Sequence, residues 1–181
     1  MLDASLGGAF PRESVEKLIP SFVKEGATAE CSMYSISPHK GGSMYDGRLY
    51  FETNRGLKLM HAQGGVKQAI AFVGFDIEND AMQIRQLQGK RGFAHLLQPL
   101  RWEHLLVRAI VELAKRASDC TEVHMPRAAS LTFYDFPMGL SVPREAFHQT
   151  MKLRYDTTAK RLGFKWNSWK GAYYLNIRTD A

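Results

Sequence analysis

At 181 residues the chain has the size of one domain and is long enough to bury a substantial core. Its 45% hydrophobic and 23% charged residues exclude a largely disordered chain, and no apolar run approaches membrane-spanning length. The net charge of +6 is uneven: residues 1–88 carry nine Lys and Arg against ten Asp and Glu, and residues 89–181 carry fifteen against eight.

A basic C-terminal half suits a phosphate-bearing partner, either a nucleotide-like cofactor or a nucleic acid; an ordinary solvated surface is the plainer alternative. The opening MLDASLGGAF has neither the basic start nor the apolar core of a signal peptide, so a cytoplasmic protein with no membrane attachment is expected. Cys31 and Cys120 stand far apart with no CxxC, and the histidines show no ligand spacing, so neither a disulfide nor a metal site is expected.

Residues 1–11 read as a loose lead-in. Val15, Leu18, Ile19, Phe22 and Val23 then form a helical stripe over residues 13–24, with a break at Ile19 because Pro20 follows it. Residues 29–37 suit a short strand, and residues 37–47, SPHKGGSMYDG, read as a mobile loop of the kind that borders sites, or as a plain connection. Residues 48–53 and 57–62 look like two strands, with a turn at Gly64 and Gly65. Residues 68–75 and 82–87 follow as an antiparallel hairpin around the polar turn 76–80. The four strands make an antiparallel meander.

Trp102, Leu106, Ala109, Leu113 and Ala117 recur at spacings of three and four, with Arg108, Glu112, Lys115 and Arg116 opposite, which predicts a helix over residues 100–117 packed on a sheet. Residues 121–125 form a further strand, and a helix between two strands permits a right-handed crossover and a locally parallel pair. Residues 126–143 are irregular but hold Phe133, Tyr134, Phe136, Met138 and Leu140, enough apolar area to pack over the sheet or line a pocket. Pro143 opens a helix with Phe147, Met151, Tyr155, Ala159 and Leu162 on one face and Gly163 as its C-terminal cap. Residues 164–166 and 173–177 close the chain as a hairpin. The class is α/β (α+β) with a mixed sheet.

This element order, with the string TAKRLGFKW at residues 158–166, resembles the GNAT superfamily of acyl-CoA N-acyltransferases, in which a helix ending in LGF precedes the penultimate strand. The strings QLQG at residues 86–89, RWE at 101–103 and YDTTA at 155–159 are similar to a prokaryotic and phage branch of GNAT-like proteins. The resemblance covers residues 48–178 of a single domain, with residues 1–47 as an N-terminal helix and loop extension. It implies a GNAT-like mixed, mostly antiparallel central sheet flanked by helices. The implied reaction is acetyl transfer from acetyl-CoA, or transfer from another acyl-CoA, to an amine by direct attack; the amine acceptor stays open.

In that family the cofactor's diphosphate lies on backbone N–H groups where a strand ends before the long helix. The matching residues are Gln86, Gln88, Gly89, Lys90, Arg91 and Gly92, although the loop has one residue too many between its glycines and a stretch including Pro99 precedes the helix. The family's acidic tyrosine stands four residues before the glycine of LGF, where this chain has Ala159. Tyr155, one turn earlier on the same face, is the catalytic candidate, its plainer role being a core tyrosine. His61 is the candidate base, with Glu52 and His124 as alternatives, and Asp135 has the same standing; a packed histidine is the plainer reading of His61.

Two functions of other kinds remain open. One is a non-catalytic GNAT-like binding module. The other is a nucleic-acid-directed modification protein, in which the Lys and Arg interleaved with Trp and Tyr over residues 152–174 serve phosphate contact and base stacking. The oligomeric state is open, a homodimer included.

Overall fold

The computed structural model describes residues 13, 15, 17–41, 44–46, 49–117, 119–135 and 142–178, with residues 44–46, 133 and 135 described in their backbone only. The lead-in expected at residues 1–11, and residues 136–141 of the aromatic loop, lie outside the described residues. Pro20 starts a 3₁₀ turn over Ile19–Phe22, and at Val23 the chain is already extended and bridges Leu100. The expected helix over residues 13–24 is therefore broken at Ile19 and does not reach Lys24.

The strands are β1 Tyr34–Lys40, β2 Met44–Asp46, β3 Leu49–Phe51, β4 Arg55–Gln63, β5 Val66–Glu78 and β6 Ala81–Gly89. A short helix α1, Ala94–Leu97, and the long helix α2, Trp102–Arg116, lead to β7, Glu122–Pro126. Helix α3, Thr132–Asp135, precedes α4, Arg144–Lys152, which runs through a wide π turn, Leu153–Thr157, into α5, Thr158–Arg161. Strands β8, Lys165–Asn167, and β9, Ala172–Asn176, follow.

Seven strands form one mixed sheet in the order β1-β4-β5-β6-β7-β9-β8, antiparallel except for the pair β6–β7. The mostly antiparallel α+β class read from the sequence is the observed one. The long hairpin turns at Asn79 and Asp80, both at positive φ, so β5 runs to Glu78 and takes in most of the stretch read as the turn 76–80. Two other readings are corrected. Within the stretch read as the loop 37–47, residues 37–40 belong to β1 and residues 44–46 form β2. Pro38 fits because β1 is an edge strand, where a missing N–H breaks no ladder. The stretch 48–53 does not join the meander; β3 pairs with β2 alone, and β1 takes the place beside β4.

The β2–β3 hairpin closes over the sheet through a small core of its own, Leu49, Phe51, Ala69 and Phe72. Two glycines in register, Gly56 on β4 and Gly74 on β5, make room for it. A Cβ at Gly56 would lie 2.3 Å from the Phe72 ring, and one at Gly74 would lie 2.2 Å from the Thr53 hydroxyl. The main core lies between the sheet and α2, whose Trp102, Leu105, Leu106, Ala109, Ile110 and Leu113 are buried. Arg108 and Glu112 pair at 2.9 Å on the outer side of that helix.

The face read for the last helix, Met151, Tyr155 and Ala159 with Phe147 and Leu162, packs on the same core. A strict four-residue repeat drifts off an α-helical face by about 40° a step. The π turn holds more residues per turn and returns the stripe to the sheet. Gly163, at φ +85°, ends the element as expected.

Candidate functional site at the fork of two parallel strands

The β6–β7 ladder has three pairs, Ala81–Glu122, Met82–Val123 and Gln83–His124. Beyond them β6 continues to Gly89 on β5 and β7 to Pro126 on β9 without pairing to each other, so the two strands open a fork. The divergence coincides with a bulge on β6: Gly74 faces Gln86 and Phe75 faces Ile84, leaving Arg85 as the extra residue. A fork in a sheet exposes backbone groups that need partners.

Tyr155 supplies one of them. Its phenol oxygen accepts the Leu87 amide at 2.9 Å, and the residue is 1% exposed. Burial pushes the phenol up to about 12; the Leu87 bond and Arg154 act against that shift, and Glu52 adds to it. The Glu52 carboxyl is itself held above the usual carboxylate range by burial. Glu52, at the end of β3, is thus brought to the fork by the hairpin.

Gln86 fixes that placement. It is buried, its amide nitrogen donates to the Tyr50 carbonyl at 2.6 Å and to Gln88 Oε1 at 2.8 Å, and its oxygen accepts the Glu52 amide at 3.0 Å. The residue read as a phosphate contact is therefore a cross-link between β6 and β3. On the other side of Tyr155, the Arg154 guanidinium lies 5.3 Å from the Trp102 ring, and burial lowers its pKa against the pull of Glu103. Glu103, in the first turn of α2, is raised by burial, with its own backbone N–H, Arg154 and Lys24 opposing. Arg154 Nε is buried without a partner.

Gly89 is the last residue of β6, and Leu97 and Trp102 close on it, 3.0 and 3.2 Å from where a Cβ would stand. The Lys90 amide donates to Ile70 at 2.7 Å, and the Lys90 ammonium lies over the Phe93 ring. Arg91 and Gly92 form the turn that follows, with Gly92 at φ +89°. Helix α1 follows this turn in the chain before α2 begins at Trp102.

His61 lies on β4, 4% exposed, with its ring edge-on to Tyr34 at 5.0 Å; burial first and then His95 lower its pKa. Its neighbours are those of β1 and α1, whereas those of Tyr155 are Leu87, Arg154 and Glu52. His124 has both ring nitrogens engaged, by Gln83 at 2.8 Å and Glu122 at 2.6 Å. Asp135 is described only in its backbone. An open cleft of about 330 Å³ beside the 3₁₀ turn is lined by Ile19, Cys31, Tyr34, Ala62 and Lys67 among others, and takes in none of the expected site residues.

Among the described residues no group of three or more His, Cys, Asp and Glu is placed to hold a metal ion, and no helix is long and apolar enough to cross a membrane. No protein-family model matches the chain, and no curated protein or solved structure matches it. The fork brings together a protonated phenol, a carboxyl of raised pKa and a buried guanidinium. That set can move protons around a small polar group lodged between diverging strands.

Proposed function

We propose that the protein is an acyl-CoA-dependent N-acyltransferase of the GNAT kind, with its transfer point in the β6–β7 fork. The observation that carries this reading is the Tyr155 phenol on the Leu87 amide inside the fork, with Glu52 in electrostatic range. Support also comes from the mixed, mostly antiparallel sheet with one parallel pair, the kind of sheet the family resemblance implies. In this reading Glu52 takes the proton of the attacking amine as its nitrogen bonds to the thioester carbonyl carbon. The C–S bond then breaks, and the departing thiolate takes the phenolic proton of Tyr155. That proton is free to point into the fork because the phenol oxygen is already the acceptor for Leu87. Glu52 takes the role expected of His61, because it is the carboxyl that acts on the Tyr155 phenol, whereas His61 packs against Tyr34.

A second reading is favoured by the packing at Gly89. With Leu97 and Trp102 closed over it and the Lys90 amide committed to Ile70, the turn offers a diphosphate little. A GNAT-like binding module without cofactor accounts for that packing. Isothermal titration with acetyl-CoA and with free CoA separates the two, backed by thermal shift because a ligand of the native state raises apparent stability. Saturable micromolar binding of acetyl-CoA supports the transferase. Absence of binding by both ligands, with the protein folded, overturns it in favour of the module.

A further inference from the structure

The hairpin of β8 and β9 ends in a turn, residues 168–171, with Trp169 at its tip 98% exposed. The turn is constructed to hold that indole out. Asn167 Oδ1 accepts the amides of Trp169 at 2.9 Å and Lys170 at 3.1 Å, and Gly171 takes φ +60°. On β8, Trp166 is 43% exposed, with the Arg127 guanidinium 5.5 Å from its ring. The Lys170 ammonium stands 5.2 Å from the Tyr174 ring. Lys165, exposed on the edge strand β8, is in register with Tyr174 and so shares the face of Lys170, opposite that of Trp166 and Arg127. Residues 152–178 hold seven Lys and Arg and one acid, Asp156.

We propose that this hairpin binds single-stranded nucleic acid wrapped around the edge strand β8, with bases stacking on Trp169 and Trp166 and phosphates on Arg127 at one face and on Lys165 and Lys170 at the other. Aromatic faces serve bases of any sequence, and cations beside them follow the backbone. Lys170 is shared with Glu122, so the phosphate contacts fall mainly to Lys165 and Arg127. A duplex keeps its base faces stacked inside and would leave Trp169 without use. A lipid surface would need apolar neighbours at the tip, where this chain has Ser168 and Lys170. An acidic peptide would use the cations and leave the indole in water. The assignment rests on surface geometry alone and is independent of what happens in the fork.

The test is titration of the full chain with fluorescently labelled oligo-dT and oligo-U at low and at raised salt, following anisotropy and tryptophan quenching. Binding of either oligonucleotide supports the proposal, and comparing the two distinguishes DNA from RNA. Affinity falls steeply with salt, as phosphate neutralisation requires. Trp169→Ala lowers it at least ~5-fold, the least a lost base stack should cost. Trp169 touches solvent almost entirely, so that variant keeps its fold, which a melting curve checks. Lys165→Ala flattens the salt dependence. The proposal is overturned by the absence of binding at low salt or by equal affinity in Trp169→Ala. Blunt duplex binding as tightly as oligo-dT, or Trp169 responding to anionic phospholipid vesicles but to neither oligonucleotide, overturns it as well.

Discussion

The Tyr155 hydroxyl accepts the Leu87 amide at 2.9 Å, so a side chain from the π turn of the last helix partners β6 where β7 has diverged. Tyr155→Phe removes the acceptor and strands a buried N–H, which costs about 1–3 kcal/mol. Urea unfolding of the variant checks this. If the fork is a transfer site, the same change lowers acyl transfer by about 100-fold while acetyl-CoA affinity holds. A variant as stable as the parent would show that the bond contributes nothing to the fold.

Gln86 ties β6 to the Tyr50 carbonyl and the Glu52 amide, and the prediction concerns that tie. Gln86→Leu keeps the bulk but loses both bonds, so the β2–β3 hairpin should loosen while the main sheet stays closed. Hydrogen exchange reads it directly: the amides of Leu49, Phe51 and Glu52 exchange faster, and those of β5 do not. Uniform acceleration across the sheet would mean that Gln86 supports the whole core rather than the hairpin.

Gly56 and Gly74 face each other across β4 and β5 beneath the same hairpin. Gly56→Ala drives a methyl into the Phe72 ring and the Val73 carbonyl, and Gly74→Ala drives one into Thr53. Each should cost about 1–3 kcal/mol through overpacking. Gly64→Ala is the control, since its Cβ meets nothing within 4 Å and pays only the strain of φ +57°. Thermal melts that rank Gly64→Ala as the most damaging of the three would contradict this packing.

The long hairpin, helix α2 and the closing helix and hairpin were legible in the sequence because each has a periodicity that its burial enforces. Residues 37–47 misled for the opposite reason. Pro38 is a turn signal, and an edge strand tolerates it where an inner strand would not. The stretch 48–53 reads as a strand and is one over Leu49–Phe51, but its pattern does not specify a partner. The same limit applies to the site. Tyr155 stood out as part of a helical stripe, whereas its relation to Glu52 depends on a hairpin folding back over the sheet, held by a Gln read as a phosphate-loop residue and by two glycines, one of which, Gly74, lay inside a run read as plain strand.

The last prediction is the acid limb of stability. His39 is 4% exposed, its ring 4.6 Å from that of Phe51 and 5.5 Å from that of Phe72, and burial first and then Lys58 hold its pKa below the ordinary 6.5. His61 is lowered likewise by burial and His95. A histidine that resists protonation when folded but takes a proton when unfolded favours the unfolded chain as pH falls. Its contribution is complete above the unfolded value of 6.5 and is lost as pH drops from there towards the folded value. Glu52 and Glu103 have raised values and act with the opposite sign, destabilising the fold as pH rises from the ordinary carboxylate value through the raised one. The melting temperature should therefore fall between pH 6.5 and the carboxylate range. His39→Phe, which keeps the aromatic packing and removes the titrating group, should flatten that slope. An unchanged slope in His39→Phe, with the hairpin amides equally protected, would remove His39 from the account and leave the acid limb to the other buried histidines, His61 among them.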